Sequence, residues 1–354
     1  MRRKDFYEAL KLAQPALATK DLIPVFSCYF FDGKTVTACN DAVAVNTPCD
    51  LPLAGGVLGK VLFDWLGASK AKTVQGSVRA KTKDALFKAG RSKLVLGVTP
   101  SSDFNFSFPK KRGIKLVIPK GFIEAVKRSG QFMGRDPSHP WCLGVALRLE
   151  KAKLTFWTCD NFTASRSRVG VVDLPKKAEG LEVALSPQFV DLVNALARKL
   201  KLTSFELSSD WVEAQFSGGT RVWSKLLKTT ATEQFKKVFS DITKKKKAES
   251  IPVPGGFEDS LERVSVVLSS AVDKHAELSV ENGKLNLLAH SPIGEVKESL
   301  SVEQHPDFKE VFLPEMLLRG VADAKTLSMI PGSCILLQAK NFVYAVSIVR
   351  QDSE

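Results

Sequence analysis

"KAGRSKLVLGVTPSSDF", residues 88–104, opens on basic residues, sets Leu94, Leu96 and Val98 at every second position, and ends in a Pro-Ser-Ser turn. Such alternation marks a strand with one apolar face. Lys93, Val95 and Gly97 fall on the other face. Two later segments have the same character: "GTRVWSKLLKTT" (219–230) and "KNFVYAVSIVRQ" (340–351). Each closes a stretch of roughly 120 residues, so the chain reads as three repeats of one unit.

The helices repeat as well. An apolar or small residue, a proline and a helical apolar pattern recur in "IPKGFIEAVKRSG" from Ile118, "SPQFVDLVNALARKL" from Ser186 and "LPEMLLRGVADAK" from Leu313. Proline suits the first helical turn, where its missing N–H costs nothing. "VPGGFEDSLERVSVVL" from Val253 is a looser version, and residues 3–17 and 57–68 complete six predicted helices. Between them lie predicted strands such as "KLTFWTCD" (153–160), "LTSFELSSDWVEAQFSG" (202–218) and "KLNLLAH" (284–290). The expected fold is α+β: three similar domains, 1–114, 115–249 and 250–354, each with two helices on antiparallel sheets. The charged stretches "KKRG" and "KKKKAES" fit the boundaries.

Composition narrows the function. The chain has 354 residues, 44% of them hydrophobic and 25% charged, and a formal charge of +13. Such a balance points to a polyanion, nucleic acid first, or to a lysine-rich surface that only confers solubility. No apolar run is long enough to cross a membrane. "MRRKDFYEALKLAQ" reads as an amphipathic helix rather than a secretory signal, so a cytoplasmic protein is expected. The six cysteines form no CxxC pair, which favours reduced thiols over disulfides or zinc. "AGGVLGKV" (54–61) fails as a phosphate loop at Ala54 and Val61, leaving Gly55 and Gly56 as a turn before the second helix. The four histidines lack metal-ligand spacing, and no catalytic constellation is present. The expectation is therefore a non-enzyme with no cofactor, no metal and no membrane partner.

The repeat-closing strands resemble those of the bacterial sliding clamp, the beta subunit of DNA polymerase III. "KAGRSKLVLGVTPSSDF" is similar to the end of that family's first domain and "RVWSKLLKTTATEQFKKVF" (221–239) to the end of its second. "LIPVFSCYFFDGKTVTACND" (22–41) resembles its first hairpin and "FVYAVSIVR" (342–350) its last strand. The resemblance implies a homodimeric ring, closed head to tail around double-stranded DNA and serving a DNA polymerase and a clamp loader. Helices would line the hole. DNA contacts would then come from Arg2, Arg3, Lys11, Lys20, Lys120, Lys127, Arg128, Arg198 and Lys199. The strand at 91–98 would be a sheet edge, with Leu94 and Leu96 meeting Val267 and Leu268 of the other copy; the alternative is an interior strand covered by its own domain.

Charge is uneven. Residues 1–114 carry a formal +9, 115–248 carry +11 and 249–354 carry −7. A head-to-tail seam would join the first to the third, where opposite charge steers association. The alternative readings are an acidic third that is simply a solvated surface, and Lys244–Lys247 as a solvated linker.

The resemblance also implies a pocket for partner peptides, lined by Cys142, Phe162, Ala164, Lys237, Val238, Ala345, Ser347, Ile348, Val349 and Arg350, or else plain interdomain packing there. The family's Asp-Gly-His-Arg-Leu turn corresponds to "DNFTA", Asp160–Ala164, which keeps only the aspartate. That departure leads to the expectation of a phage or mobile-element source and of altered peptide specificity. Two rival readings stand beside the clamp: a basic DNA-processing enzyme such as a nuclease, and a decoy clamp that does not encircle DNA.

Overall fold

The computed structural model describes residues 1–18, 23–79, 82–104, 106, 113–171, 178–228, 231–244, 250–303 and 307–349. Among these the chain runs through one order of elements three times. The first pass is α1 (Arg3–Ala13), β1 (Cys28–Asp32), β2 (Thr35–Cys39), β3 (Val43–Pro48), β4 (Ala54–Leu58), α2 (Gly59–Ala68), β5 (Gln75–Val78), β6 (Asp84–Ala89) and β7 (Ser92–Gly97). The second begins with β8 (Ile114–Leu116) and α3 (Phe122–Phe132), then β9 (Val145–Glu150), β10 (Lys153–Cys159), β11 (Thr163–Gly170), β12 (Glu182–Leu185), α4 (Pro187–Ala197), β13 (Leu202–Leu207), β14 (Trp211–Phe216) and β15 (Arg221–Lys225). An additional helix, α5 (Ala231–Lys244), follows. The third pass is β16 (Ser250–Pro252), α6 (Phe257–Leu268), β17 (Ala276–Glu281), β18 (Lys284–Ser291), β19 (Gly294–Ser301), β20 (Phe308–Phe312), α7 (Pro314–Val321), β21 (Thr326–Ile330), β22 (Cys334–Ala339) and β23 (Phe342–Ser347).

The sheets do not follow the passes. One eight-stranded sheet runs β4-β1-β2-β3-β15-β14-β13-β8, joining strands of the first and second passes. A second runs β12-β9-β10-β11-β23-β22-β21-β16 and joins the second and third on the same plan. What remains is a three-stranded sheet, β5-β6-β7, from the first pass and a four-stranded sheet, β19-β18-β17-β20, from the third. Every pairing within these sheets is antiparallel. By compactness the chain forms two units, Met1–Pro119 with Val172–Ala178 and Gln188–Leu227, and Lys120–Val171 with Glu179–Pro187 and Lys228–Glu354. Each holds one eight-stranded sheet and one of the smaller ones.

In the first unit, α1 buries Phe6, Ala9, Leu10 and Ala13, the spacing of a single helical face. Phe6 lies 6.0 Å from Phe31 of β1 and 6.3 Å from Phe87 of β6, so one helix holds two sheets. In the second unit, α6 points Phe257, Leu261, Val264 and Leu268 into a core shared with α7 and β17–β23. α7 seats closely against β23: a Cβ at Gly320 would lie 2.2 Å from the Tyr344 ring. Tyr344 in turn donates its hydroxyl to the Met316 carbonyl at 2.7 Å.

Both large sheets cover their other face with connecting chain. Phe30, next to Phe31 and so on the opposite face, stacks under Phe104 at 4.2 Å, and Phe106 meets Trp211 edge-on at 5.8 Å. In the second sheet Phe156 faces α3 through Phe122, while its neighbour Trp157 is buried with Phe235 and Phe239 of α5.

One element is added and two local expectations are corrected. The segment 231–244, for which no element was predicted, is a helix whose Phe235 and Phe239, one turn apart, make the buried face; Lys245–Lys247 lie outside the described residues. Gly55 and Gly56 sit inside β4 rather than in a turn. Gly55 has φ +115°, and a Cβ on Gly56 would strike the Phe30 ring at 2.6 Å. Proline opens α4 and α7 as expected, but α3 and α6 start after left-handed glycines, Gly121 and Gly256.

Candidate functional site

The β10–β11 turn builds one wall of a pocket in the second unit. Asp160 Oδ1 accepts the Phe162 amide at 2.8 Å, the Thr163 amide at 2.7 Å and the Thr163 hydroxyl at 3.0 Å. That tight turn pushes Phe162 outward, 49% exposed. The end of β23 fixes the turn from the other side: Ser347 donates both its amide and its hydroxyl to the Phe162 carbonyl, each at 2.8 Å. Helix α5 supplies Val238 and Asp241, the β21–β22 turn Ser333 and Cys334, β23 Ala345, and the loop before β9 Trp141. With Cys159, Asn161, Thr163 and Ala164 these residues enclose about 370 Å³, mostly apolar.

Such a cavity suits apolar anchors of a peptide rather than chemistry. Burial pushes the Cys159 and Cys142 thiols up, with the neighbouring carboxylate of Asp160 acting in the same direction, so neither is a ready nucleophile. Among the described residues no group of three His, Cys, Asp or Glu is placed to hold a metal ion, and no helix is long and apolar enough to cross a membrane.

Of the pocket residues named from sequence, Phe162, Ala164, Val238, Ala345 and Ser347 line it. Cys142 does not; it is packed beneath, with Trp157, Phe235 and Phe239. Lys237 is exposed on α5 but outside the lining. Ile348 packs against the main core and the Val349 amide donates to the Val311 carbonyl at 2.8 Å, so neither reaches the cavity. Arg350 lies outside the described residues, as does Lys20. Trp141, Asp241, Ser333 and Cys334 were missed. Asp241 was findable: it falls one turn past Val238 on α5.

The basic residues divide into free and engaged. Lys11, Lys120, Lys127, Arg198 and Lys199 are exposed. Arg2 pairs with Asp5 at 2.7 Å. Arg3 donates to the Leu66 carbonyl at 2.9 Å and lies over the Tyr7 ring. Arg128 is half-buried, held by Asp323 at 2.8 Å and stacked over Phe342, so its charge is already compensated.

Among the described residues β7 is a sheet edge, bonded only to β6. Leu94 and Leu96 pair with Phe87 and Ala85, share their face and are half-buried; Val95 on the other face is 46% exposed. The expected counterpart needs correction. Leu268 is 2% exposed because the i, i+4, i+7, i+11 stripe of α6 turns it into its own core. Val267 is half-buried, and the exposed neighbour is Val266 at 69%.

No family model matches the chain, and no curated protein matches it in sequence. Solved structures match along its whole length. The DNA polymerase III subunit beta of Pseudomonas aeruginosa is 17% identical with a TM-score of 0.83, covering 99% of each chain. A putative DNA polymerase III beta subunit from Eubacterium rectale is 13% identical with a TM-score of 0.87, over 99% of this chain and 98% of that one. The sliding clamp of Bartonella birtlesii, bound to griselimycin, is 16% identical with a TM-score of 0.86 over 99% and 98%. The chain has the fold of the bacterial beta sliding clamps.

Proposed function

We propose that the protein is a DNA sliding clamp: two copies close head to tail around duplex DNA and tether a replicative polymerase after a clamp loader has placed them. One observation carries the reading. Strand β3 pairs with β15, and β11 with β23. In each case the third strand of a four-strand set meets the last strand of the following pass. Applied once more, the rule pairs β19 with β7, which lie at the free edges of the two smaller sheets. Within one chain each is left unpaired; two chains pair them twice and close a ring with no open seam. The seam residues are then those of β7 and β19, with the division near 114 and 249 marking the three repeated domains of each copy.

The charge pattern supports the same reading. The exposed basic residues of α1, α3 and the end of α4 suit phosphate attraction without base readout, as sliding requires. The −7 of residues 249–354 suits a seam with the +9 of residues 1–114. The pocket of the second unit is the docking site for polymerase and other partner peptides. A cytoplasmic location and a non-enzymatic role accompany it.

The test is retention on DNA. Protein loaded on a closed circle should resist a salt wash and be released when the circle is cut. Equal salt sensitivity on circular and linear DNA would overturn encirclement.

A further inference from the structure

Among the described residues, the lining of the second unit's pocket carries charge of one sign: Asp160 and Asp241 stand in it, and no lysine or arginine does. The chain as a whole has the opposite balance, 51 basic against 38 acidic residues. The two carboxylates differ. One oxygen of Asp160 is committed to its turn, and the other lies 3.5 Å from Arg319. Asp241 is exposed on α5, next to the apolar wall made by Val238 and Phe162, and among the described residues nothing pairs with it. Lys237, one turn earlier on the same helix, makes no ion pair with it.

We infer that this pocket selects a peptide whose aromatic or branched apolar anchor is flanked by a lysine or arginine. The inference rests on the peptide-docking reading of the pocket and names what that peptide must carry. The anchor seats against Phe162, Val238 and Ala345, and the flanking cation meets Asp241 at the mouth. A glutamate in the same place would face Asp241 and Asp160 together. The preference runs against the protein's net charge of +13, whose long-range field favours acidic peptides. A local origin is therefore separable from a global one.

The experiment uses the full-length protein and two fluorescent synthetic octapeptides. Both contain a Leu-Phe anchor; one has lysine beside it and the other glutamate. Anisotropy titrations at low salt should show the lysine peptide binding about fivefold more tightly, the upper range for one exposed ion pair. The margin should shrink as salt is added. Asp241→Lys should reverse the preference. Val238→Asp should abolish binding of both peptides with the circular dichroism spectrum unchanged. Equal affinities would overturn the charge selection and leave the pocket reading standing. Tighter binding of the glutamate peptide to both the unaltered protein and Asp241→Lys would overturn it in favour of the global field. Binding of neither peptide would overturn the pocket reading, and the inference with it.

Discussion

The two eight-stranded sheets are built to one strand order but are roofed differently. Over the first, Phe104 and Phe106, two residues apart, cover Phe30 and Trp211. Over the second, Phe235 and Phe239, four residues apart, cover Trp157 from a helix. The spacing follows the backbone: extended chain returns to the same face after two residues, a helix after about four. Polar groups differ too. In the first sheet Trp223 donates its indole N–H to Glu213 at 2.9 Å, and Arg221 donates to the same carboxylate at 2.8 Å. In the second, the Trp157 indole N–H is buried without a partner. Arg166, directly opposite it, stacks over Phe239, and burial beside Arg168 pushes its guanidinium down to about 10. One roof closes a satisfied network. The other is anchored by Phe235 and Phe239 with Arg166 stacked on it, and leaves a cavity at its margin, which is where the partner site is proposed.

Removing an anchor should separate the two roofs most. Phe235 is 2% exposed, so Phe235→Ala should cost about 3–5 kcal/mol and free α5 from the sheet. Phe104 is only half-buried, and Phe104→Ala should cost roughly half as much or less. Denaturant unfolding of both variants checks this, and equal losses would break the contrast.

The arginines should give opposite signs. Arg166→Met removes a half-buried cation that has no acidic partner among the described residues, and should stabilise the protein by about 1 kcal/mol. Arg221→Met takes the cation from half-buried Glu213, leaving it the neutral donors Trp223 and Gln215, and should destabilise the protein by about 1–2 kcal/mol. Two losses of similar size, read from thermal unfolding, would show that Arg166 is satisfied after all.

Part of the acid response should come from the first unit's β1–β2 turn. Burial opposes ionisation of Asp32, but the amides of Lys34 and Thr35 and the Thr35 hydroxyl outweigh it and hold the carboxyl below its usual 3.8. A depressed carboxyl contributes stability that is complete above that value and lost as the pH falls through the folded-state value. Asp32→Asn keeps an acceptor for the amides, so its stability should fall less steeply in acid. Parallel pH–stability curves for the two proteins would assign the acid response elsewhere.

The smallest effect concerns a turn shared by both sheets. Asn40, between β2 and β3, accepts the amides of Ala42 and Val43, each at 2.9 Å, as Asp160 does for Phe162 and Thr163 between β10 and β11. Asp160→Asn should therefore change stability by less than about 0.5 kcal/mol. It should still narrow the peptide charge preference, because it removes a carboxylate from the pocket mouth. A large loss of stability would mean that Arg319 holds the turn through that charge.

The periodicities were legible where they are local. Six helices, the strand at β7 and the threefold repeat follow from spacing; that β7 is an edge came only through the resemblance. Sheet composition was not, since the pairing of β3 with β15 joins residues far apart in the chain and leaves no local mark. Helix α5 was legible but no element was assigned there, although Phe235 and Phe239 have helical spacing. The same spacing rule already turns Leu268 inward. Half of the pocket was legible through its resemblance to the family turn. Trp141 and Ser333 reach it from loops whose positions only the folded chain supplies.

The unmatched edges of β7 and β19 have a genetic consequence. If two chains close by pairing these edges twice, a chain with a proline in β7 still offers a sound β19. It can join one unaltered copy, and the pair then has one closed seam and one gap. Each altered chain thus takes an unaltered one out of use, so such an allele should behave as a dominant poison rather than a silent loss, in proportion to its share of the pool. A chain damaged in the core of either unit would fold poorly, find no companion and remain recessive.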